Sequence, residues 1–126
     1  MRAPALYTPL RHRTDFLRVR SRGQRKGNTL LQVRALPTPP AVSLHTQIRL
    51  GLPVSKKYGS AVERNRFKRL VRAALRELLG ELASGWDLVI LPREAHQVKM
   101  SEVLASLRFL LGEIGVLRMA TPGEDA

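Results

Sequence analysis

The chain has 126 residues, a length that fits one compact domain and leaves little room for a second. Hydrophobic residues make up 44% and charged residues 25%, which is the composition of a folded protein and excludes a disordered tail. The net charge of +12, from 22 lysines and arginines against 10 acids, is unlike that of an ordinary neutral enzyme and predicts a polyanionic partner.

The positive charge is concentrated in one part of the chain. Residues 1–76 contain 18 bases and 2 acids, whereas residues 77–126 contain 4 bases and 8 acids. This asymmetry predicts a basic face. There is no cysteine, which excludes disulfides and thiolate metal sites, and no apolar run approaches the roughly 20 residues of a membrane span. We therefore expect a cytoplasmic protein with no membrane partner.

The hydrophobic pattern predicts six elements. In chain order they are a helix over 15–22, strands over 29–36 and 42–52, a helix from 61 to about 82, a strand over 86–91 and a last helix from about 102. Residues 1–9 and 121–126 lie outside them, and we expect both ends of this single domain to be flexible. The order of elements predicts an α+β fold, an α/β sandwich with helices packed against one sheet.

Individual residues mark the ends of these elements. Thr14 and Ser101 are the predicted N-caps of the first and last helices. Gly23 and Gly27 end the first helix, and Pro53 ends the second strand.

The second predicted helix is the best-marked element. Ser60 and Glu63 fit a capping box, in which each side chain accepts a hydrogen bond from the other residue's backbone. On a wheel of about 100° per residue, the apolar residues fall within an arc of about 140° that forms a core face. These residues are Phe67, Leu70, Val71, Ala74, Leu75, Leu78 and Leu82.

The other side of this helix, with the loop before it, is polar and basic. Its members are Lys56, Lys57, Arg64, Asn65, Arg66, Lys68, Arg69, Arg72 and Arg76. Guanidinium groups pair with two phosphate oxygens at once, and a helix N-terminus adds partial positive charge. A solvated helix face normally mixes both signs of charge, whereas residues 56–76 hold eight bases and one acid. We therefore interpret this side as a nucleic-acid-binding surface.

The residues favour RNA over DNA and predict no catalytic or metal-binding side chain. Zinc-finger spacing, a leucine zipper and a helix-turn-helix pair are missing, so recognition of a structured RNA backbone fits best. The three histidines, His12, His45 and His96, have no partner spacing, and the acids form no paired motif of a metal nuclease.

Residues 48–77 read IRLGLPVSKKYGSAVERNRFKRLVRAALRE. Within them, Gly51, a Val-Ser-Lys-Lys turn and a Gly-x-Ala-Val step precede an Arg-Asn-Arg core with Lys-Arg two residues on. In this order of motifs the segment resembles the protein subunit of bacterial ribonuclease P, and a weaker resemblance extends over residues 10–117.

The resemblance implies a small mixed central sheet with packed helices and a left-handed βαβ crossover of the ribosomal-protein type. It also implies that the catalyst is an RNA subunit, which cleaves precursor tRNA with Mg²⁺ held mainly by the RNA and its substrate. This chain would bind the catalytic RNA through the Arg-Asn-Arg helix and hold the 5′ leader of precursor tRNA, with no small-molecule substrate.

The leader would lie in a cleft between the first helix and the sheet. The family commonly has aromatic residues there, and in this chain Phe16 matches, whereas Arg20 and Arg34 stand at two other aromatic positions. The hypothesis is that this cleft grips leader phosphates more and stacks on leader bases less. Phe16 fits a core position of the first helix equally well.

The residues by themselves leave a second function class open. A structural RNA-binding protein of the ribosomal type, with no part in catalysis, needs the same basic face and the same modest core. Only the resemblance separates the two classes.

Overall fold

Five strands and three helices make up the part of the chain that the computed structural model describes, which is residues 7–42, 48–93 and 98–117. In chain order they are β1 (Tyr7–Pro9), α1 (Arg13–Arg22), β2 (Gln24–Gly27), β3 (Leu31–Pro37), β4 (Ile48–Gly51), α2 (Ala61–Glu77), β5 (Trp86–Pro92) and α3 (Met100–Ile114). A 3-10 turn, Leu79–Glu81, follows α2. This arrangement confirms the predicted α+β sandwich.

The strands form one mixed sheet in the order β1-β4-β5-β3-β2. β1, β4 and β5 run parallel, while β3 is antiparallel to both β5 and β2. β5 is the central strand and pairs along its whole length with β3, from Leu31 opposite Pro92 to Pro37 opposite Trp86. The mixed sheet that the resemblance implies is therefore confirmed.

Side chains alternate between the two faces of the sheet, and each face has its own core. In β3, Leu31, Val33 and Ala35 are buried in the main core, which α2 and α3 complete on one face. On the opposite face α1 covers a smaller cluster, in which Val19 packs with Leu10 and Val89. The face under α1 is therefore the smaller and more polar side of the sandwich.

The β4–α2–β5 unit is a left-handed crossover. Viewed from the α2 side with β4 pointing upwards, an L-residue whose side chain faces the viewer directs its N–H and C=O to the right. Leu50 packs into the core on this side, and its carbonyl accepts a hydrogen bond from Leu10 N, 2.9 Å away, just after β1. β1 therefore lies to the right of β4, and β5 lies to its left. A chain that leaves β4, passes through α2 in front of the sheet and enters a strand on the left makes a left-handed crossover, whereas about 98% of such units are right-handed.

α2 begins as predicted and ends earlier than predicted. Ser60 Oγ accepts a hydrogen bond from Glu63 N at 3.2 Å, and Glu63 Oε1 accepts one from Ser60 N at 3.0 Å, which completes the capping box. Hydrogen bonds from the backbone and the side chain of Ser60 to the Glu63 carboxyl hold its pKa below the usual value. The α-helix stops at Glu77 and the 3-10 turn carries the chain on to the buried Leu82, because Gly80 disfavours a further α-helical turn.

The sequence pattern does not predict β1 or β2. Each has only three or four residues, too few for alternation to show, and all of β2 is exposed. Residues 7–9, which we expected to be flexible, pair in parallel with β4 instead. Residues 1–6 and 121–126 lie outside the described part of the chain.

Thr14 and Ser101 are not the caps that we expected. Both lie inside the first turn of their helices, because the preceding residues His12 and Lys99 adopt the extended backbone of an N-cap. At α3 the first-turn carboxylate then contributes, since Glu102 Oε1 accepts a hydrogen bond from Lys99 N at 2.9 Å.

The two predicted strands before α2 start too early. β3 begins at Leu31, because the Asn28 side chain accepts hydrogen bonds from the N–H groups of Leu30 and Leu31 and forms a turn there. Within the predicted strand 42–52, the structure shows β4 over Ile48–Gly51, and Val42 and Leu52 lie outside it. Residues 43–47 of that range lie outside the described residues.

Leu75→Ala tests whether the buried face of α2 carries the main core. Leu75 is fully buried, so the substitution should lower the free energy of unfolding by about 2–5 kcal/mol through lost burial and a residual cavity. The matched control is Val62→Ala in the first turn of the same helix, where the side chain is 74% exposed and the change should stay within about 0.5 kcal/mol. Urea unfolding of both variants makes the comparison, and equal losses would contradict this assignment of the core.

Candidate nucleic-acid interface

The outer side of α2 carries exposed cations, as the helical wheel predicts. Asn65, Arg69 and Arg76 are exposed along this side, and Lys56 and Lys57 are exposed in the loop that leads to the helix. None of these bases forms an ion pair with a carboxylate within residues 7–42, 48–93 and 98–117. The charge of this surface is therefore not neutralised by the described part of the protein.

Arg64 and Arg66 are half-buried and held by backbone carbonyls. Arg64 Nη1 donates to the carbonyl of Gly59 at 2.8 Å, which ties the helix to the loop before it. Arg66 Nη2 donates to the carbonyl of Val98 at 2.7 Å, just ahead of α3. Each guanidinium has further donors beyond the one used here, so both arginines are fixed in place and can still bind an anion.

Lys68 and Arg72 lie on the flank of α2 that faces the β1 edge of the sheet. Being four residues apart, they share one side of the helix. Both are half-buried and line a cavity of about 230 Å³. We call this cavity the edge pocket; its lining residues are Tyr7, Pro9, Leu10, Phe16, Leu50, Leu52, Pro53, Lys68 and Arg72.

Phe16, Arg20 and Arg34 lie together, as the resemblance implies. They line a cavity of about 360 Å³ between α1 and the sheet, which we call the cleft. Its lining residues are Phe16, Leu17, Arg20, Arg34, Pro53, Val89 and Leu91. The cleft therefore combines an apolar floor with guanidinium groups on its walls.

A third arginine, which the sequence analysis did not select, adds to the charge of the cleft. Arg25 of β2 lies directly opposite Arg34 of β3, so both side chains are on the same face of the sheet. Burial lowers the pKa of Arg34, and the nearby charges of Arg25 and Arg20 lower it further. Arg34 Nε is shielded from solvent and has no hydrogen-bond partner within the described residues. Three like charges lie close together here, and none of them forms an ion pair within the described residues, an arrangement that favours a bound anion.

Gly51 fixes the position of the Phe16 ring. A Cβ at Gly51 would lie 2.5 Å from Phe16 Cε1, which is closer than real Cβ contacts allow. The absence of a side chain therefore lets the ring lie directly against β4. Phe16 lines both the cleft and the edge pocket, so it forms the wall between them.

Three cavities meet at Pro53. The third, of about 220 Å³, is lined by Ser55, Lys57, Tyr58 and residues 91–93 in addition to Pro53. Each cavity therefore opens beside Pro53, and the cleft lies next to both the cavity at the basic loop before α2 and the edge pocket.

A buried carboxylate joins α1 to the sheet beside the cleft. Asp87 of β5 is fully buried and accepts hydrogen bonds from Arg49 Nε at 2.8 Å, Arg49 Nη2 at 2.7 Å and Thr38 Oγ1 at 2.7 Å. Arg18 of α1 donates to the same carboxylate. Asp15 of α1 completes the network by accepting from Arg49 at 3.1 Å and from Arg18 at 3.3 Å.

The network keeps Asp87 ionised. Burial acts to raise the pKa of Asp87, but the hydrogen bonds from Arg49, Thr38 and Arg18 outweigh it and hold the pKa below its ordinary value. The hydrogen bonds to Asp87 in turn raise the pKa of Arg49. The two acids beside the cleft therefore pair with Arg18 and Arg49, and no carboxylate among the described residues pairs with the cleft bases.

The sequence alone does not predict this network, because its members are far apart in the chain. Asp87 stands 38 residues from Arg49 and 69 from Arg18. One signal was available: Asp87 is the single charged residue in an otherwise apolar strand. A lone acid at such a position predicts a buried partner, although not which one.

The described residues do not offer a metal ion a protein site. Within residues 7–42, 48–93 and 98–117, no three His, Cys, Asp or Glu side chains form a group that could hold a metal. His12 is exposed at the N-cap of α1, and His45 and His96 lie outside the described residues. No helix within the same ranges has the length and apolar character to cross a membrane.

The chain is similar to known proteins over most of its length. The family model described as Ribonuclease P matches residues 7–115. The ribonuclease P protein component of Shouchella clausii is 38% identical over 104 residues, which is 82% of each chain, and that of Dehalococcoides mccartyi is 38% identical over 112 residues, 88% of each chain. The solved ribonuclease P protein of Thermotoga maritima superposes with a TM-score of 0.71 and 32% identity, covering 84% of this chain and 96% of that one.

Asp87→Asn tests the charge network through the pH dependence of stability. The folded protein holds the pKa of Asp87 below the ordinary value of 3.8, so the stabilisation is present above that value and is lost as pH falls through the lower folded pKa. The variant should be less stable than the wild type by about 3 kcal/mol at pH 7, because Arg49 loses its buried partner, and its stability should fall less as pH drops below about 4.

Urea unfolding at a series of pH values between neutrality and the acid limit of the folded state measures both effects. Glu81→Gln is the control, because Glu81 pairs with Arg108 at an exposed site and its loss should leave the wild-type pH dependence in place. An Asp87→Asn profile parallel to that of the wild type would show that Asp87 does not carry this acid sensitivity.

Proposed function

Because the chain belongs to the ribonuclease P protein family, we propose that it is the RNA-binding subunit of ribonuclease P. The basic side of α2 together with Lys56 and Lys57, which we call the α2 surface, would bind the catalytic RNA. The cleft would hold the 5′ leader of precursor tRNA. The enzyme would remove the leader by endonucleolytic cleavage during tRNA 5′ maturation. The site of action would be the cytoplasm.

The lack of ion pairs at the bases of α2 and of the cleft, within the described residues, carries this proposal. The two carboxylates beside the cleft, Asp15 and Asp87, pair with Arg18 and Arg49 instead. The remaining cations repel one another until a polyanion neutralises them. Release of counterions from the RNA phosphates then supplies much of the binding free energy.

The Arg-Asn-Arg segment suits recognition of a folded RNA backbone. The carbonyls of Gly59 and Val98 hold Arg64 and Arg66 in place, so little side-chain entropy is lost when they bind phosphates. Asn65, exposed between them, offers both a donor and an acceptor to a sugar hydroxyl or a base edge.

The shape and charge of the cleft suit an unpaired leader. Val89 and Leu91 form an apolar floor, Phe16 offers one ring for stacking, and Arg20 and Arg34 stand where they can reach phosphates. Arg25 strengthens the preference for phosphate contacts over base contacts.

We assign the chemistry to the RNA subunit. The described residues build no ligand set for Mg²⁺, so in this proposal the ion is held mainly by the RNA and the precursor tRNA, and no side chain of this chain takes a catalytic step. The protein's part is to bind and orient the two RNAs.

Cleavage of a precursor tRNA at low magnesium tests the subunit role. We expect activity from ribonuclease P RNA and the protein together, and none from either alone. Changing both Arg64 and Arg66 to Ala should abolish the stimulation and reduce the slope of log affinity against log salt by about 0.7–0.9 for each phosphate that the variant no longer binds. Arg108→Ala is the matched control, because it removes an exposed base of α3 that already pairs with Glu81.

Two results would overturn the proposal. Cleavage by the protein alone would mean that it contains a catalytic site. Binding without stimulation of a cognate ribonuclease P RNA would favour the structural RNA-binding class instead. Because Arg66 also bonds to Val98, thermal unfolding of each variant must show that it remains folded.

Leader binding tests the balance between phosphate and base contacts in the cleft. Single-base changes in the leader should alter affinity by less than about threefold, whereas Arg20→Ala and Arg34→Ala should each weaken binding and lower the salt slope by about 0.7. Arg22→Ala is the matched control, since Arg22 is an exposed base on α1 that does not line the cleft. Fluorescence anisotropy with precursor tRNAs that differ only in the leader gives the measurement, and a large base effect at fixed salt would contradict the phosphate-grip hypothesis.

A further inference from the structure

We propose that the edge pocket holds one unpaired nucleotide of the catalytic RNA, with its base against the apolar floor and its phosphate on Lys68 and Arg72. This inference rests on the proposed function and adds a single-nucleotide site that is separate from the cleft. The bases of α2 then form two groups. Those on the outer side contact the RNA backbone, whereas Lys68 and Arg72 bind the phosphate of the nucleotide in the pocket.

The composition of the pocket is that of a nucleotide site. Leu50 of β4, Leu52 just after this strand, and Leu10 supply an apolar floor, and Tyr7 and Phe16 supply aromatic faces. Each nucleobase has a flat face that stacks on an aromatic side chain or lies on an apolar surface. The two cations stand on the α2 flank of the same cavity, so one ligand can contact both the apolar and the charged lining.

Arg72 carries a hydrogen-bond donor that the described protein does not use. Its Nε is shielded from solvent and has no hydrogen-bond partner within the described residues. Neither Arg72 nor Lys68 pairs with a carboxylate within that part of the chain. A buried donor without an acceptor is unfavourable, and a phosphate oxygen at this place would satisfy it while neutralising both cations.

The size of the pocket restricts the occupant. Its volume of about 230 Å³ is below the roughly 300–1,000 Å³ typical of sites for drug-sized ligands, so it suits one small flat group. A base in a duplex could not enter, because its partner and its stacked neighbours would stay outside. The occupant is therefore a nucleotide that is unpaired in the folded RNA.

Charge and position favour the catalytic RNA over other occupants. Residues 1–6, which precede Tyr7, contain Arg2 and no acid. Their charge has the same sign as that of Lys68 and Arg72, so these residues are a poor occupant for the pocket. The pocket opens beside the α2 surface proposed to bind the catalytic RNA, and the Phe16 ring separates it from the cleft proposed for the leader. A nucleotide that projects from the RNA bound along α2 reaches it by the shortest path.

Chemical probing of the reconstituted particle tests the inference. Ribonuclease P RNA is modified with dimethyl sulfate and with a 2′-hydroxyl acylating reagent, with and without saturating protein, in the absence of precursor tRNA. We expect the wild-type protein to protect one unpaired nucleotide that becomes reactive again with Leu52→Phe, which fills the pocket without changing its charge. The affinity for the RNA should fall about tenfold, as expected for the loss of one stacked base.

Two further variants keep the test decisive if Leu52→Phe is poorly folded. Arg72→Gln removes a pocket cation and should expose the same nucleotide. Arg22→Gln removes the same charge from an exposed position on α1, outside the pocket and outside the basic side of α2, and should leave that nucleotide protected. Thermal unfolding of each variant identifies any that is not folded.

The outcomes separate this inference from the proposed function. If the wild-type protein neither protects the RNA nor stimulates cleavage, the proposed function fails. If it does both, and every protected nucleotide stays protected with the folded pocket variants, only the edge-pocket inference is wrong. Protection that appears only after precursor tRNA is added would overturn the assignment to the catalytic RNA.

Discussion

The position of α1 on the sheet depends on the hydrogen bonds and ion pairs of the buried Asp87 carboxylate. A buried charge is stable only when it is well paired, and Asp87 meets that requirement with donors from the sheet, from the loop after β3 and from α1. Since Phe16 and Arg20 belong to α1 while Arg34 and Val89 belong to the sheet, the position of α1 sets the width of the cleft. A polar contact outside the cleft thus determines the geometry within it.

The same network explains how a chain of net charge +12 can fold and still present bare cations. Within the described residues, Asp15 and Asp87 neutralise Arg18 and Arg49 at the contact between α1 and the sheet, where charge without a partner would be most costly. The exposed bases on the outer side of α2 lie on the surface, where water and salt screen their mutual repulsion enough for the protein to fold. Folding therefore places these two acids at the buried contact and leaves the exposed bases of α2 without an ion-pair partner within the described residues.

Local signals predicted α2 well, and long-range contacts account for what the sequence did not reveal. The Ser60–Glu63 box and the 3.6-residue repeat lie within α2 itself, so its start, its buried face and its basic side could be predicted. β1 is too short to show a pattern and exists because Tyr7 pairs with Ile48, 41 residues away. The cleft positions of Phe16, Arg20 and Arg34 came from the family resemblance, since nothing local to them shows that they meet. Arg25 and the partners of Asp87 needed the sheet register, which a single sequence does not show.

The two edge strands of the sheet determine whether copies of the protein can pair with one another. An exposed strand can add a strand from another chain, and sheets with long apolar edges aggregate in this way. Here one edge is β1, three residues ending in a proline that has no N–H to donate, and the other is β2, whose sequence QRKG is charged and ends in glycine. Neither edge is a good template for a neighbouring copy. Arg25 and Lys26 therefore help to keep neighbouring copies of the protein from pairing through this edge.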